Sequence, residues 1–112
     1  MSTRGEARLW LAQRATAAVL AVCVAVHLAT MIVAVRGGLT ATAILGRTHG
    51  SAGWAAFYAL FVLAVSVHAP IGLRTIAGEW LGWRGRATDL ACMLIGALLL
   101  ALGALAIAAV VR

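Results

Sequence analysis

Two histidines in apolar surroundings are the residues of this chain best suited to chemistry. His68 lies within the apolar segment Ser66–Leu73, and His27 lies within an earlier apolar segment. An imidazole in hydrocarbon is costly unless it has a partner, so a titratable or metal-binding group at that depth indicates a functional site. Neutral imidazole is also the commonest metal ligand among side chains. The sequence therefore predicts a ligand site around His68, with His27 as a second candidate.

Arginine and hydroxyl side chains accompany the histidines. Arg74 follows His68 at the end of the same segment, where a guanidinium could bind a haem propionate or a phospholipid. Gly72, between them, would let a flat ring approach the backbone. Arg14 and Thr16 belong to a polar cluster near the start of the first apolar segment. The alternative for Arg14 is that its guanidinium only reaches out to the lipid headgroups.

The composition indicates which elements must position these residues. The chain has 112 residues, of which 64% are apolar and 11% are charged, whereas soluble domains carry roughly a quarter charged residues. Three apolar stretches are long enough to cross a bilayer, which takes about 20 helical residues. The sequence predicts a single all-α transmembrane domain over residues 1–112. Its three helices are expected at about 9–35 (helix I), about 52–78 (helix II) and about 88–111 (helix III).

The placement of the arginines predicts the orientation. All nine basic residues are arginine, and six of them precede or open helix I or lie at or after the end of helix II. These six are Arg4, Arg8, Arg14, Arg74, Arg84 and Arg86, and the other three are Arg36, Arg47 and Arg112. By the positive-inside rule, the N-terminus is predicted in the cytoplasm and the C-terminus outside. Because orientation and headgroup contact account for the net charge, no nucleic-acid partner is predicted.

The remaining features predict packing. Cys23 and Cys92 fall in apolar segments and lack a CxxC or Cys/His ligand spacing, so we expect them to be small core residues. Gly96 and Gly103 lie on one face of helix III, which favours close helix packing. The connection over residues 39–51 is moderately apolar and could form a short interfacial helix.

Depth separates the two histidines. Relative to the midpoints of their helices, His27 lies toward the outer face and His68 toward the cytoplasm, so their levels differ by roughly 12 Å or more at ~1.5 Å per residue. Two axial nitrogens on one haem iron are only ~4 Å apart, since metal–nitrogen bonds are about 2 Å long. The pair is therefore not expected to hold a single haem. Each histidine needs a partner from elsewhere if it is a ligand, and the alternative for His27 is a packing role.

Two motifs carry a family resemblance. Arg14-x-Thr16 opens helix I, and His68-x3-Gly-Leu-Arg-x4-Glu79 closes helix II before a third apolar helix. This arrangement resembles the cytochrome b membrane-anchor subunit of succinate dehydrogenase and fumarate reductase. The family pattern opens with His-Arg-x-Ser/Thr-Gly and closes with His-x3-Gly-Ile/Leu-Arg-His-x3-Asp.

The resemblance implies roles for these residues. His68 would be an axial iron ligand of haem b, whose other ligand comes from a second small membrane-anchor subunit, and Arg74 would lie near a propionate. Arg14, with Thr16 as the hydroxyl, would bind ubiquinone or menaquinone on the cytoplasmic side. His27 lies outside the single-haem pattern, and it would either ligate a second haem, as in two-haem members of the wider group, or serve packing. The other implied partners are an iron–sulfur subunit, a flavoprotein subunit and membrane lipid, in a bacterial cytoplasmic (inner) membrane that the chain crosses several times.

Four positions depart from the family pattern. Gln13 stands where the family has a histidine, and Ala17 stands where it has a glycine. Thr75 replaces the histidine after the second arginine, and Trp10 falls where the family has a serine that contacts quinone. These departures concern mainly the quinone site, for which Thr16 is the substitute hydroxyl.

The predicted function is that of a haem b- and quinone-binding membrane anchor of a succinate:quinone oxidoreductase (respiratory complex II). It would pass electrons from the iron–sulfur subunit to quinone and would itself carry out no succinate chemistry. The alternatives are an anchor of another quinone-linked b-type cytochrome complex and a small non-redox membrane transporter or structural protein. Proton-coupled transporters usually need an acidic group within a helix, whereas Glu6, Glu79 and Asp89 all fall at predicted interfaces.

Overall fold

Three long helices dominate the structure. The computed structural model describes residues 2–112, which form α1 (Thr3–Gly37), α2 (Ala41–Thr48), α3 (Ala52–Trp80) and α4 (Arg86–Val111). Helices α1, α3 and α4 are each long and apolar enough to cross a membrane. They form an elongated bundle of 49 × 24 × 22 Å. The predicted all-α fold with three candidate membrane spans is confirmed.

The helix boundaries differ from the predicted ones mainly at the start of α1. This helix begins at Thr3 rather than near residue 9, because the Ser2 side chain accepts a hydrogen bond from the Gly5 amide at 3.1 Å and caps the first turn. Glu6 in that turn also complements the positive end of the helix dipole. The helix is therefore longer than its apolar part. The orientation of the termini stays a prediction.

The short helix α2 fastens the connection between α1 and α3 to the end of α4. The Thr48 hydroxyl donates a hydrogen bond to the Val110 carbonyl at 2.6 Å, and the Gly50 amide donates one to the Val111 carbonyl at 2.8 Å. These bonds satisfy carbonyls at the end of α4 that have no partner within the helix. The sequence allowed a short helix in this connection, and one is present.

Small side chains mediate the packing of the bundle. Helix α3 is central, since it packs against both α1 and α4. The buried apolar residues of the described part of the chain are Cys23, Ala34, Ala64, Ala77 and Cys92. This confirms the predicted core position of both cysteines. The large apolar side chains stay mostly exposed, as expected where lipid or partner helices cover the surface.

Two glycines let α4 approach α3 closely. A Cβ atom built on Gly96 would lie 2.8 Å from Pro70 Cγ and 3.0 Å from the Ser66 carbonyl oxygen. A Cβ atom on Gly103 would overlap the side chain of Val62. Any larger residue at Gly96 or Gly103 would force α3 or α4 to move. The packing role predicted for both glycines is therefore confirmed.

We expect Gly96→Ala to destabilise the bundle by about 1–3 kcal/mol, the typical cost of overpacking. The added methyl group would collide with backbone as well as with the proline ring. Gly46→Ala in α2 is the matched control, since a Cβ there meets no described atom within 4 Å. Thermal unfolding of the purified membrane protein measures both. Equal unfolding midpoints for the two variants would contradict the close α3–α4 contact.

Candidate functional site

A groove of about 570 Å³ lies between α1 and α3 and brings several predicted site residues together. Its charged and polar lining residues are Glu6, Gln13, Arg14, His68, Arg74 and Thr75. The volume is typical of small-molecule sites, which have mostly apolar walls and a few polar groups. The remaining walls fit that description, with Leu9, Trp10, Ala17, Ile71, Gly72 and Ile76. The structure thus places Arg14, His68 and Arg74 around one space.

His68 is held by a contact between the two helices. Its Nδ1 lies 3.2 Å from Thr16 Oγ1. The Thr16 hydroxyl is also within hydrogen-bond distance of two carbonyls of its own helix, those of Ala12 at 2.7 Å and Gln13 at 3.2 Å. Such bonds to the preceding turn are usual for threonine within helices. The hydroxyl that we predicted for quinone binding therefore contacts the histidine.

Arg14 lies at the rim of the groove. Its Cζ atom is 5.4 Å from the centroid of the Trp10 ring, which is within the range of a cation–π contact. The Trp10 side chain is exposed. Arg14 forms no ion pair within residues 2–112. Its guanidinium is therefore available to an electron-rich group that enters the groove.

Gln13 is a site residue that the sequence analysis missed, since it appeared there only as a departure from the family pattern. Its Oε1 atom is buried and has no hydrogen-bond partner among residues 2–112. A Cβ atom at Gly72 would lie 3.2 Å from Gln13 Nε2, so the amide occupies the room that we predicted for a flat ring. A buried acceptor without a partner leaves Gln13 able to accept a hydrogen bond from a group outside residues 2–112. The only sequence signal was an amide within an apolar helix.

Arg74 is engaged by carboxylates from two other helices. Its Nε donates to Asp89 Oδ1 at 2.9 Å, and its Nη2 lies 3.4 Å from Glu6 Oε1. These contacts tie α3 to α4 and to α1 at one end of the bundle. A haem propionate would have to share the guanidinium with both carboxylates. The sequence did not predict this pairing, because all three residues are distant along the chain.

His27 lies away from the groove. Its ring packs edge-on against Tyr58 and Phe61, with centroid distances of 6.2 and 5.7 Å. Its Nδ1 is buried without a hydrogen-bond partner in the described part of the chain. Since His27 follows Thr16 by eleven residues on α1, it lies roughly 16 Å further along the helix axis. The two histidines therefore occupy different levels of the bundle.

Comparison with known proteins identifies the family. Residues 1–110 match the family model described as the succinate dehydrogenase/fumarate reductase transmembrane subunit. The chain belongs to this family. It is a membrane-anchor subunit of such a complex, and the soluble subunits of the complex are its partners. Searches of curated proteins and of solved structures gave no match.

Family membership confirms the resemblance that the two motifs indicated. It favours the anchor subunit over the transporter and structural alternatives, and it agrees with three membrane-length helices in a multi-pass membrane protein. In this anchor subunit, the residues of both motifs meet at the end of the bundle where α1 begins and α3 ends. The Thr16–His68 contact joins the two motifs directly.

We expect Asp89→Asn to destabilise the anchor subunit by about 0.2–1 kcal/mol, the range for partly exposed ion pairs. Glu6→Gln should cost less, because its contact with Arg74 is longer and its side chain is more exposed. Thermal unfolding at low and high salt tests this, since salt screens such pairs. Glu79→Gln is the control, as Glu79 forms no ion pair within residues 2–112. A loss as large for Glu79→Gln would contradict the pairing.

Proposed function

We propose that this anchor subunit binds haem b through His68 and binds a quinone in the groove between α1 and α3. The proposed complex is a succinate:quinone oxidoreductase. The observation that best supports the proposal is the position of His68. Its imidazole lines the groove while one ring nitrogen contacts Thr16, so the other nitrogen is the one free to act as a ligand.

His68 and Arg74 would supply one half of a haem site. His68 would hold the haem iron from one face, and the second axial ligand would come from a second small membrane-anchor subunit. Bound haem supplies one-electron chemistry whose potential depends on its axial ligands. Arg74 would contribute positive charge near a propionate, shared with Glu6 and Asp89. His27 is a candidate ligand for a second haem, since its Nδ1 is buried without a partner in residues 2–112.

Gln13 and Arg14 would bind the quinone, which is ubiquinone or menaquinone. The guanidinium of Arg14 can stabilise negative charge that develops on a carbonyl oxygen during reduction. The amide of Gln13 carries both a donor and an acceptor. Its Nε2 can donate to a quinone carbonyl, and its Oε1 can accept from a quinol hydroxyl. Gln13 thereby takes the role that we first assigned to Thr16.

The charge distribution supports a cytoplasmic location for the groove. Arg4 and Arg8 precede the groove on α1, and Arg84 and Arg86 follow it after α3. By the positive-inside rule, we expect this end of the bundle on the cytoplasmic side of the proposed bacterial inner membrane. There the iron–sulfur subunit, which receives electrons from the flavoprotein subunit, would reach the quinone.

A reduced-minus-oxidised absorption spectrum of the purified complex tests haem binding. We expect a b-type α band in the wild-type complex and its loss in His68→Ala, because the iron then lacks one axial ligand. His49→Ala is the control, since His49 is exposed and the one hydrogen bond of its side chain within residues 2–112 is to the Arg112 carbonyl oxygen, at 3.0 Å. His27→Ala should reduce the band in part if two haems are present. An unchanged band in His68→Ala would exclude the assignment.

Quinone reductase kinetics test the groove. We expect Arg14→Gln to lower kcat/KM for quinone by about tenfold or more, since a hydrogen bond with a charged partner contributes about 1.5–3 kcal/mol. We expect a smaller loss for Gln13→Leu, since a neutral hydrogen bond contributes about 0.5–1.5 kcal/mol. Arg8→Gln is the matched control, because Arg8 is on the same helix and is not among the residues that line the groove. If Arg14→Gln and Arg8→Gln gave equal kinetics, the proposed quinone position would be wrong.

A further inference from the structure

We infer that Thr16 is a positioning residue that sets the tautomer and ring orientation of His68. The inference rests on the proposed haem site and adds to it the residue that prepares the ligand. It concerns the Thr16 hydroxyl, which lies outside the set of groove-lining residues and contacts the histidine instead. We base the inference on three distances from Thr16 Oγ1.

The hydrogen of the Thr16 hydroxyl is donated within α1. A hydroxyl has one hydrogen to donate and two lone pairs to accept with. The Ala12 carbonyl oxygen is 2.7 Å from Thr16 Oγ1, which is the optimal length for such a bond, and the Gln13 carbonyl oxygen is 3.2 Å away on the same side. Both carbonyls can only accept. The single hydrogen is therefore directed at the backbone of α1.

In the hydrogen bond between Thr16 and His68, the histidine is the donor. Because the hydroxyl hydrogen is used within α1, Thr16 Oγ1 can only accept at the 3.2 Å contact with His68 Nδ1. The histidine must then carry its proton on Nδ1. In a neutral imidazole, a protonated Nδ1 leaves a lone pair on Nε2. This is the tautomer that binds iron through Nε2.

The Thr16 side chain is held rigidly. Threonine is β-branched, so its χ1 angle has few states in a helix, and the bond to the preceding turn selects among them. Its oxygen is therefore a fixed acceptor on α1, while His68 belongs to α3. Metal-binding histidines usually donate their other N–H to such an acceptor, which fixes the ring and makes the ligand more basic. The packing of α1 on α3 thus prepares the imidazole for its role.

The experiment compares Thr16→Val with Thr16→Ser in the assembled complex. Valine keeps the branched shape but has no acceptor, so we expect haem affinity to fall about tenfold or more. A less basic imidazole stabilises oxidised iron less. We therefore expect the haem potential to rise, by about 59 mV if the reduced form is favoured tenfold. Serine keeps the hydroxyl and should restore both values to those of the wild type.

Thr30→Val is the matched control. Thr30 lies on the same helix and also donates to the preceding turn, to the Val26 carbonyl at 2.8 Å, but this hydrogen bond is exposed and Thr30 has no hydrogen-bond partner on another described helix. It should change neither haem affinity nor potential. If the Thr16→Val complex does not assemble, Thr16→Ala replaces it. Alanine also lacks the acceptor, and its side chain is smaller than that of threonine.

The outcomes separate this inference from the proposed function. If the wild-type complex contains haem and Thr16→Val has the potential and haem affinity of Thr30→Val, the role of Thr16 is refuted while haem ligation by His68 stands. Haem loss that serine does not rescue would also refute it, since packing alone would then explain the effect. A wild-type complex without a b-type band would instead refute the proposed haem site itself.

Discussion

The cost of a polar group inside a membrane-spanning helix is the constraint on which this structure depends. A polar side chain in the bundle is costly when it has no partner, because hydrocarbon offers none. His68 finds one in Thr16 on a neighbouring helix, and Thr16 in turn bonds to the backbone of its own turn. Arg74 finds two, Asp89 and Glu6, on the two other long helices. These contacts join α1, α3 and α4 at the same end.

The groove lies at the same end of the bundle as these interhelical contacts. Helix α3 packs against both neighbours, so its polar residues can reach partners on either side. On the α4 side, Gly96 lets α4 approach the backbone of α3 closely. On the α1 side, the side chains of Gln13, Arg14 and Trp10 hold a space open beside His68. Helix α3 therefore contributes both to the close contact with α4 and to the groove beside α1.

Two residues at this end of the bundle each have two roles. Arg74 both links three helices and lines the groove, and Thr16 both closes a turn of α1 and contacts the histidine. Small residues form the interior of the bundle, while most large apolar side chains stay on its surface. A chain built in this way offers a broad apolar face to other membrane helices. This agrees with its place as one subunit of a complex with soluble partners.

The sequence by itself determined the three membrane helices, because the length and apolarity of a segment decide whether it can span a bilayer. It also indicated candidate site residues, since charged or titratable groups are few in such a chain, and the spacing around Arg14 and His68 was enough to indicate the family. It could not determine what those residues touch. The pairing of Arg74 with Glu6 and Asp89, the hydroxyl of Thr16 against His68, and the buried Gln13 amide beside Gly72 all join residues on different helices. Only the tertiary structure decided these contacts, because hydrophobicity sets that a helix crosses the membrane but not which of its faces meets which neighbour.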